Sequence, residues 1–306
     1  MSSGEYEIHY ETHGGDDAPT ILLVMGLGAQ LTAWRSDFVE PLVDAGYQVV
    51  RYDNRDVGFS TRTDGPPPSE RDVAQLALRL RNASPPYTLN DMAADGIAVL
   101  DDLGVDAAHI VGASMGGMIA QIMAIEHRSR LRSLTSIMST TGSRRVGRPT
   151  PKTLAITSKT PPTTQPEAFE HSLRLVTHIS GPGHAPERLR ERVQLDQARA
   201  FHPAASIFHA AAVLAAPDRT RQLRQLDVPT LVLHGRKDVL VTLSGGQATA
   251  AAIPNATLVV FNEMGHAFPP ALLDPIHSTL LDHFRRTDAQ STSASRSVIQ
   301  ESISAQ

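Results

Sequence analysis

Ala108-His109-Ile110-Val111-Gly112-Ala113-Ser114-Met115-Gly116-Gly117-Met118-Ile119 is the stretch that decides how this chain folds. Residues 108–113 form a short apolar run of strand type, and residues 115–127, MGGMIAQIMAIEH, read as a buried helix. The residues joining them fit G-x-S-x-G, a serine set on a sharp strand-to-helix turn. Such a turn strains the serine backbone and brings the chain close on both sides, so its flanks must be small, a condition that Gly112 and Gly116 meet. It also lifts the Ser114 hydroxyl above the sheet edge and leaves the first amides of the following helix unpaired. The Met115 N–H is therefore a candidate donor to an oxyanion. Gly-rich strand-to-helix turns also serve phosphate-binding folds, and the choice between the two uses rests on what surrounds this one.

Outward from the turn, strands and helices alternate. Residues 20–25 are apolar apart from Thr20, as in a central strand covered on both faces, and run into Gly26-Leu27-Gly28. Residues 5–13, EYEIHYETH, alternate polar and apolar, and GGDDAP supplies a turn, so an edge hairpin is expected there. A helix over 36–45 with Gly46 as cap, a strand over 48–52, a helix over 90–103 opening at an Asn cap and a strand over 131–138 complete the first half. Repeated units of this kind predict an α/β fold with a mostly parallel central sheet flanked by helices.

From residue 139 the rhythm breaks. Gly/Pro/Thr-rich stretches such as VGRPTPKTL and SKTPPTTQPE separate helical segments near 167–180, 186–201 and 204–215, so 139–226 is expected to be an inserted helical lid. The sheet resumes with strands over 229–234 and 256–261, a helix near 243–253 between them, and a last helix near 271–285. The organisation expected is a core of 1–138 and 227–286, a lid of 139–226, and a flexible C-terminal tail over 287–306, rich in Ser, Ala and Gln.

Composition narrows the chemistry. A formal charge of −4 offers no basic field for a phosphate backbone, so nucleic acid is not an expected partner. The absence of cysteine removes disulfides, thiolate nucleophiles and Cys-based zinc sites together. His171, His178, His184, His202 and His209 in the inserted region show no metal-ligand spacing, and no cofactor is expected. Without a basic segment followed by an apolar one at residues 1–15, or any run of 18 apolar residues, the expected location is cytoplasmic with no membrane span. Nothing in the sequence points to an oligomeric state.

A serine hydroxyl needs a base, and the base needs an orienting carboxylate. In folds with this turn the acid and then the histidine follow the serine, each just past the end of a strand. Asp238 stands in HGRKD after the strand TLVLHG, and His266 in NEMGH after the strand TLVVF. Asp227 lies at the entering end of its strand, and STTGS, after residue 138, holds no carboxylate. His234 is expected to be structural, and His277 and His283 to sit on the solvated face of the last helix. The loop after the first central strand supplies the second candidate oxyanion donor, the Leu27 N–H.

The motifs LLVMGLG, RYDNRDVGFS, HIVGASMGGMIAQ, VLHGRKD and EMGHAF together make the chain resemble the α/β-hydrolase superfamily over about residues 5 to 285. MG after the first strand, with RYDxRDxGxST, is similar to the aclacinomycin methylesterase type and related bacterial lipases and esterases. The resemblance implies cofactor-free hydrolysis of a small-molecule carboxylic ester, with Asp53 and Arg55 shaping the loop beside the serine. The same triad also suits a thioester, a lactone, a carbon–carbon bond or perhydrolysis. Dehalogenase and epoxide hydrolase readings are weaker, since such relatives usually carry Asp where this chain has Ser114. A non-catalytic ligand-binding protein of this fold would be expected to show a broken triad. The apolar residues Phe169, Phe201 and Phe208 could line a pocket or simply pack the inserted helices.

Overall fold

The alternation read from the sequence closes into one seven-stranded sheet. The computed structural model describes residues 6–304 except 79, 81, 82 and 160, with residues 291–304 described as backbone only. Residues 1–5 and 305–306, which the expected core and tail include, lie outside the described residues. In chain order the first half comprises β1 (Tyr10–His13), β2 (Thr20–Val24), α1 (Ser36–Asp44), β3 (Gln48–Tyr52), α2 (Glu70–Leu78), α3 (Leu89–Asp102), β4 (Ala108–Ala113), α4 (Met115–Glu126) and β5 (Leu131–Ile137). Five helices follow: α5 (Pro151–Thr157), α6 (Gln165–Ile179), α7 (Pro186–Arg199), α8 (Ala205–Ala215) and α9 (Thr220–Leu223). The chain then returns through β6 (Thr230–Gly235), α10 (Ser244–Ala252), β7 (Thr257–Phe261) and α11 (Leu273–Ser304). The strand order is β1-β3-β2-β4-β5-β6-β7, with every neighbouring pair parallel except the antiparallel β1–β3.

The bare apolar strands are explained by burial on both faces. Leu22, Val24, Val50 and Ile110 join one core with Met92 and Leu100 of α3 and Ile119 and Met123 of α4. Their alternate neighbours Ile21, Leu23, Val49 and Val111 join a second core with Phe38 and Leu42 of α1 and Ile276, Leu280 and Phe284 of α11. A strand directs successive side chains to opposite faces, and each fully buried aliphatic side chain contributes roughly 1.5–3 kcal/mol, so polar residues are costly at either set of positions.

Several expectations are corrected. No hairpin forms between the first two strands: β1 pairs with β3, because β3 and β4 already occupy both edges of β2. Helix α3 is capped by Thr88 rather than by an asparagine. The Thr88 hydroxyl accepts from the Asp91 N–H and Asp91 accepts from the Thr88 N–H at 2.7 Å, a capping box that satisfies two otherwise open amides. Helices α2, α5 and α9 add to those read from the sequence.

The tail expected over 287–306 is instead helical through Ser304, as the continuation of α11. No Gly or Pro occurs after Pro275 to stop the helix. Asp288, assigned to the tail by composition, is tied to the core by Arg132 at 2.7 Å and by His109 at 3.2 Å. His277 and His283 are buried rather than solvated, because α11 packs against α1 and the sheet. His277 meets the Phe38 carbonyl at 2.9 Å, and burial brings His283 down to about 4. Phe208 also belongs to the core, stacked on Tyr87 with ring centroids 6.3 Å apart, so it serves packing rather than a pocket. Among the described residues no helix is long and apolar enough to cross a membrane.

Candidate active site

Ser114 sits between β4 and α4 with φ 57° and ψ −121°, a conformation that an L-residue adopts only at a cost. Surrounding bonds impose it. The Ser114 N–H donates to the Ile137 carbonyl at 2.9 Å, continuing the pairing of β4 with β5, while the Ser114 carbonyl accepts from Gly117 N–H at 3.0 Å and Ser139 Oγ at 2.7 Å. The flanking glycines are sterically required. A Cβ at Gly112 would stand 2.1 Å from the Gly116 carbonyl oxygen, and one at Gly116 would stand 2.1 Å from that of Val24. Both obstacles are backbone atoms that cannot swing aside. Gly116→Ala is therefore expected to lower kcat about 100-fold through displacement of the turn. Its melting temperature is expected to fall with it; ester kinetics and thermal melting check both, and a wild-type profile would contradict the packing argument.

The structure brings Ser114, His266 and Asp238 into one hydrogen-bonded chain. His266 Nε2 lies 2.9 Å from Ser114 Oγ, and His266 Nδ1 lies 2.7 Å from Asp238 Oδ2. A carboxylate can only accept, so the neutral ring carries its proton on Nδ1 and presents the Nε2 lone pair to the hydroxyl. Asp238 is itself held: its Oδ1 accepts the N–H groups of Leu240 and Val241, each at 2.9 Å. The His266 N–H donates to the Ile179 carbonyl at the end of α6, at 2.8 Å, so the inserted helices help to set the histidine loop.

His234 stands 3.6 Å from Asp238 Oδ2 and bonds through Nε2 to the Val241 carbonyl at 2.8 Å. Burial lowers its pKa, so it stays neutral and does not compete with His266 as a charged partner for the carboxylate.

Met115 follows Ser114 as the first residue of α4, and Leu27 follows Gly26 in the loop after β2. Gly26 approaches so closely that a Cβ there would stand 3.1 Å from Ser114 Cβ. Neither the Leu27 nor the Met115 N–H donates to a protein acceptor among the described residues. Open amides next to a hydroxyl are the kind of group that holds a negatively charged oxygen. Met115 is adjacent to Ser114 in the chain, while Leu27 is adjacent to Gly26, which approaches that serine. No group of three or more His, Asp or Glu among the described residues is arranged to hold a metal ion.

A family model described as the alpha/beta hydrolase fold matches residues 19–269. The chain belongs to the α/β-hydrolase fold family. It is 32% identical over 294 residues to rhodomycin D methylesterase DnrP of Streptomyces peucetius, covering 88% of this chain and 91% of that protein. It is 29% identical over 292 residues to rhodomycin D methylesterase DauP of Streptomyces sp. (strain C5), again covering 88% and 91%. Its fold is similar to that of a thermophilic esterase from Thermogutta terrifontis, with a TM-score of 0.69, 24% identity, and 94% and 96% of the two chains covered. This α/β hydrolase is an enzyme of the esterase type.

The hydrolase's support lies largely in the DNRD block. Asp53 Oδ1 accepts from Leu31 N–H at 2.7 Å, its Oδ2 accepts from Phe59 N–H at 3.0 Å, and Arg199 of α7 pairs with it at 2.8 Å. Asn54 Nδ2 donates to the Met25 carbonyl at 3.0 Å, and Arg55 pairs with the buried Asp95 at 2.7 Å. Asp53 thus holds the Leu31 end of the loop after β2, and Arg55 is tied to α3 through Asp95. Asn54 and Arg199 carry roles that the sequence reading does not include, and His209, weighed there only as a metal ligand, has a different one. Asn54 was visible inside the polar block, whereas Arg199 and His209 meet partners far away in the chain and carried no local signal.

Proposed function

We propose that this protein cleaves a carboxylic ester of a small or medium apolar substrate through an acyl-enzyme on Ser114. The unbroken chain from Ser114 Oγ through His266 to Asp238 is the observation that carries this reading. Ser114 Oγ attacks the ester carbonyl carbon as its proton passes to His266 Nε2. The negative charge on the carbonyl oxygen is held by the Leu27 and Met115 N–H groups, and Asp238 stabilises the imidazolium. Collapse breaks the bond to the alkoxy oxygen, which leaves as the alcohol with the proton from Nε2. Water then attacks the acyl carbon and gives a proton to His266, the ester bond to Ser114 breaks, and that proton returns to Oγ as the carboxylic acid departs.

The relatives named as methylesterases support a methyl ester as the scissile bond. Leu27, 41% exposed beside the serine turn, offers an apolar edge to the acyl side. We read 139–226 as a lid on the α/β core that the strands and helices on either side of it build. A competitive panel varying acyl and alcohol groups separately tests the proposal. Methyl esters of apolar acids are expected to turn over with the highest kcat/KM. Faster turnover of thioesters or lactones with the same core would overturn the choice of bond.

A further inference from the structure

His209 lies on α8, in the inserted helices, fully buried and with both ring nitrogens engaged. Its Nδ1 accepts the Gly28 N–H at 3.0 Å and its Nε2 meets the Arg55 carbonyl at 2.8 Å. An amide nitrogen only donates and a carbonyl only accepts, so these partners specify the neutral ring with its proton on Nε2. Burial holds the His209 pKa below its ordinary value, which keeps Nδ1 available as an acceptor.

The bond matters because of where Gly28 lies. Residues 26–28 form the turn that carries the open Leu27 N–H, with Gly26 against Ser114 on one side. Asn54 holds the Met25 carbonyl and Asp53 holds the Leu31 N–H, which fixes the two ends of the loop. Within the turn itself the closing bond, Ala29 N–H to Gly26 carbonyl, is long at 3.3 Å, and Gly28 has φ +69°. A glycine there reaches other conformations at little cost, so the turn does not hold its own shape. The remaining fixed point on the Leu27–Gly28 peptide is His209, and Ser206, one helical turn earlier, packs against Gly28.

We infer that His209 is a positioning residue of the oxyanion site, bridging Gly28 to Arg55 so that the Leu27 N–H is held beside Ser114. This rests on the serine mechanism proposed above. The inserted helices then act on the rate of the chemical step and not only on the choice of substrate. His209 touches no reacting atom. Its effect passes through one backbone amide.

His209→Phe keeps a ring and removes both polar contacts; His209→Gln keeps an acceptor and a donor. With a p-nitrophenyl ester, His209→Phe is expected to lower kcat roughly 10- to 100-fold, as for a displaced oxyanion donor, with KM little changed. The affinity for a boronic acid that forms a tetrahedral adduct on Ser114 is expected to fall by a similar factor. His209→Gln should recover most of both. Thermal melting of each variant separates this from a loss of folded protein, and His209→Met, which fills the volume with a weak acceptor, carries the comparison if the phenylalanine variant does not fold. Wild-type kcat and boronate affinity in a folded variant would overturn the inference, as would failure of both the Phe and the Met variants to fold, which would mark a purely structural contact. Retained turnover in Ser114→Ala would instead overturn the mechanism on which the inference rests.

Discussion

Ser114→Ala is expected to reduce kcat for a p-nitrophenyl ester by about a millionfold and to abolish covalent labelling by a fluorophosphonate. In the mechanism proposed, the loss is large because nucleophile, base and orienting acid act as one unit: without Oγ, the lone pair that Asp238 directs toward position 114 through His266 has no proton to take. A residual rate of about a thousandfold over water is expected from the open amides of Leu27 and Met115 and from substrate binding. Retained labelling would remove Ser114 from the mechanism. The same position carries a second expectation. Ser114 occupies φ 57° and ψ −121°, which costs a non-glycine residue about 1–3 kcal/mol, so Ser114→Gly should be inactive yet more thermostable than the wild type. Thermal melting of the two variants side by side checks it.

Asp238→Asn is expected to lower kcat about 10⁴-fold with KM little altered. The carboxylate's own contacts give the reason. Oδ1 accepts two backbone N–H groups, from Leu240 and Val241, so in the amide the carbonyl oxygen must keep that place. The NH₂ group then falls where Oδ2 now meets His266 Nδ1. It can only donate, so it selects the tautomer with the proton on Nε2, and that nitrogen can no longer accept from Ser114. Fluorophosphonate labelling should slow in parallel, and an unchanged kcat would contradict the orienting role.

The parts legible in the sequence were those with local chemistry. The strand 108–113, Ser114 and the helix behind it could be read because a sharp turn needs glycines within a few residues of the serine. Asp238 and His266 could be read because each follows its own apolar strand directly. Boundaries at the extremities were less legible. The polar composition from residue 287 onward reads as a flexible tail, yet α11 continues through it to Ser304, anchored by the partners of Asp288 on β4 and β5. His277 has no local sign of burial, which comes from packing of α11 against α1.

By itself, the sequence determined the alternation of strands and helices, the serine turn and the order of the three polar residues, because each depends on neighbours only a few positions away. Tertiary structure alone decided how they meet. It paired the first strand with the third, closed Ser114, His266 and Asp238 to hydrogen-bonding distance across the sheet edge, and brought α6 to the His266 loop and His209 to Gly28. The physical reason is that such contacts form between side chains and backbone groups that share no local pattern. They follow only when burial of the sheet's two faces fixes where each loop ends.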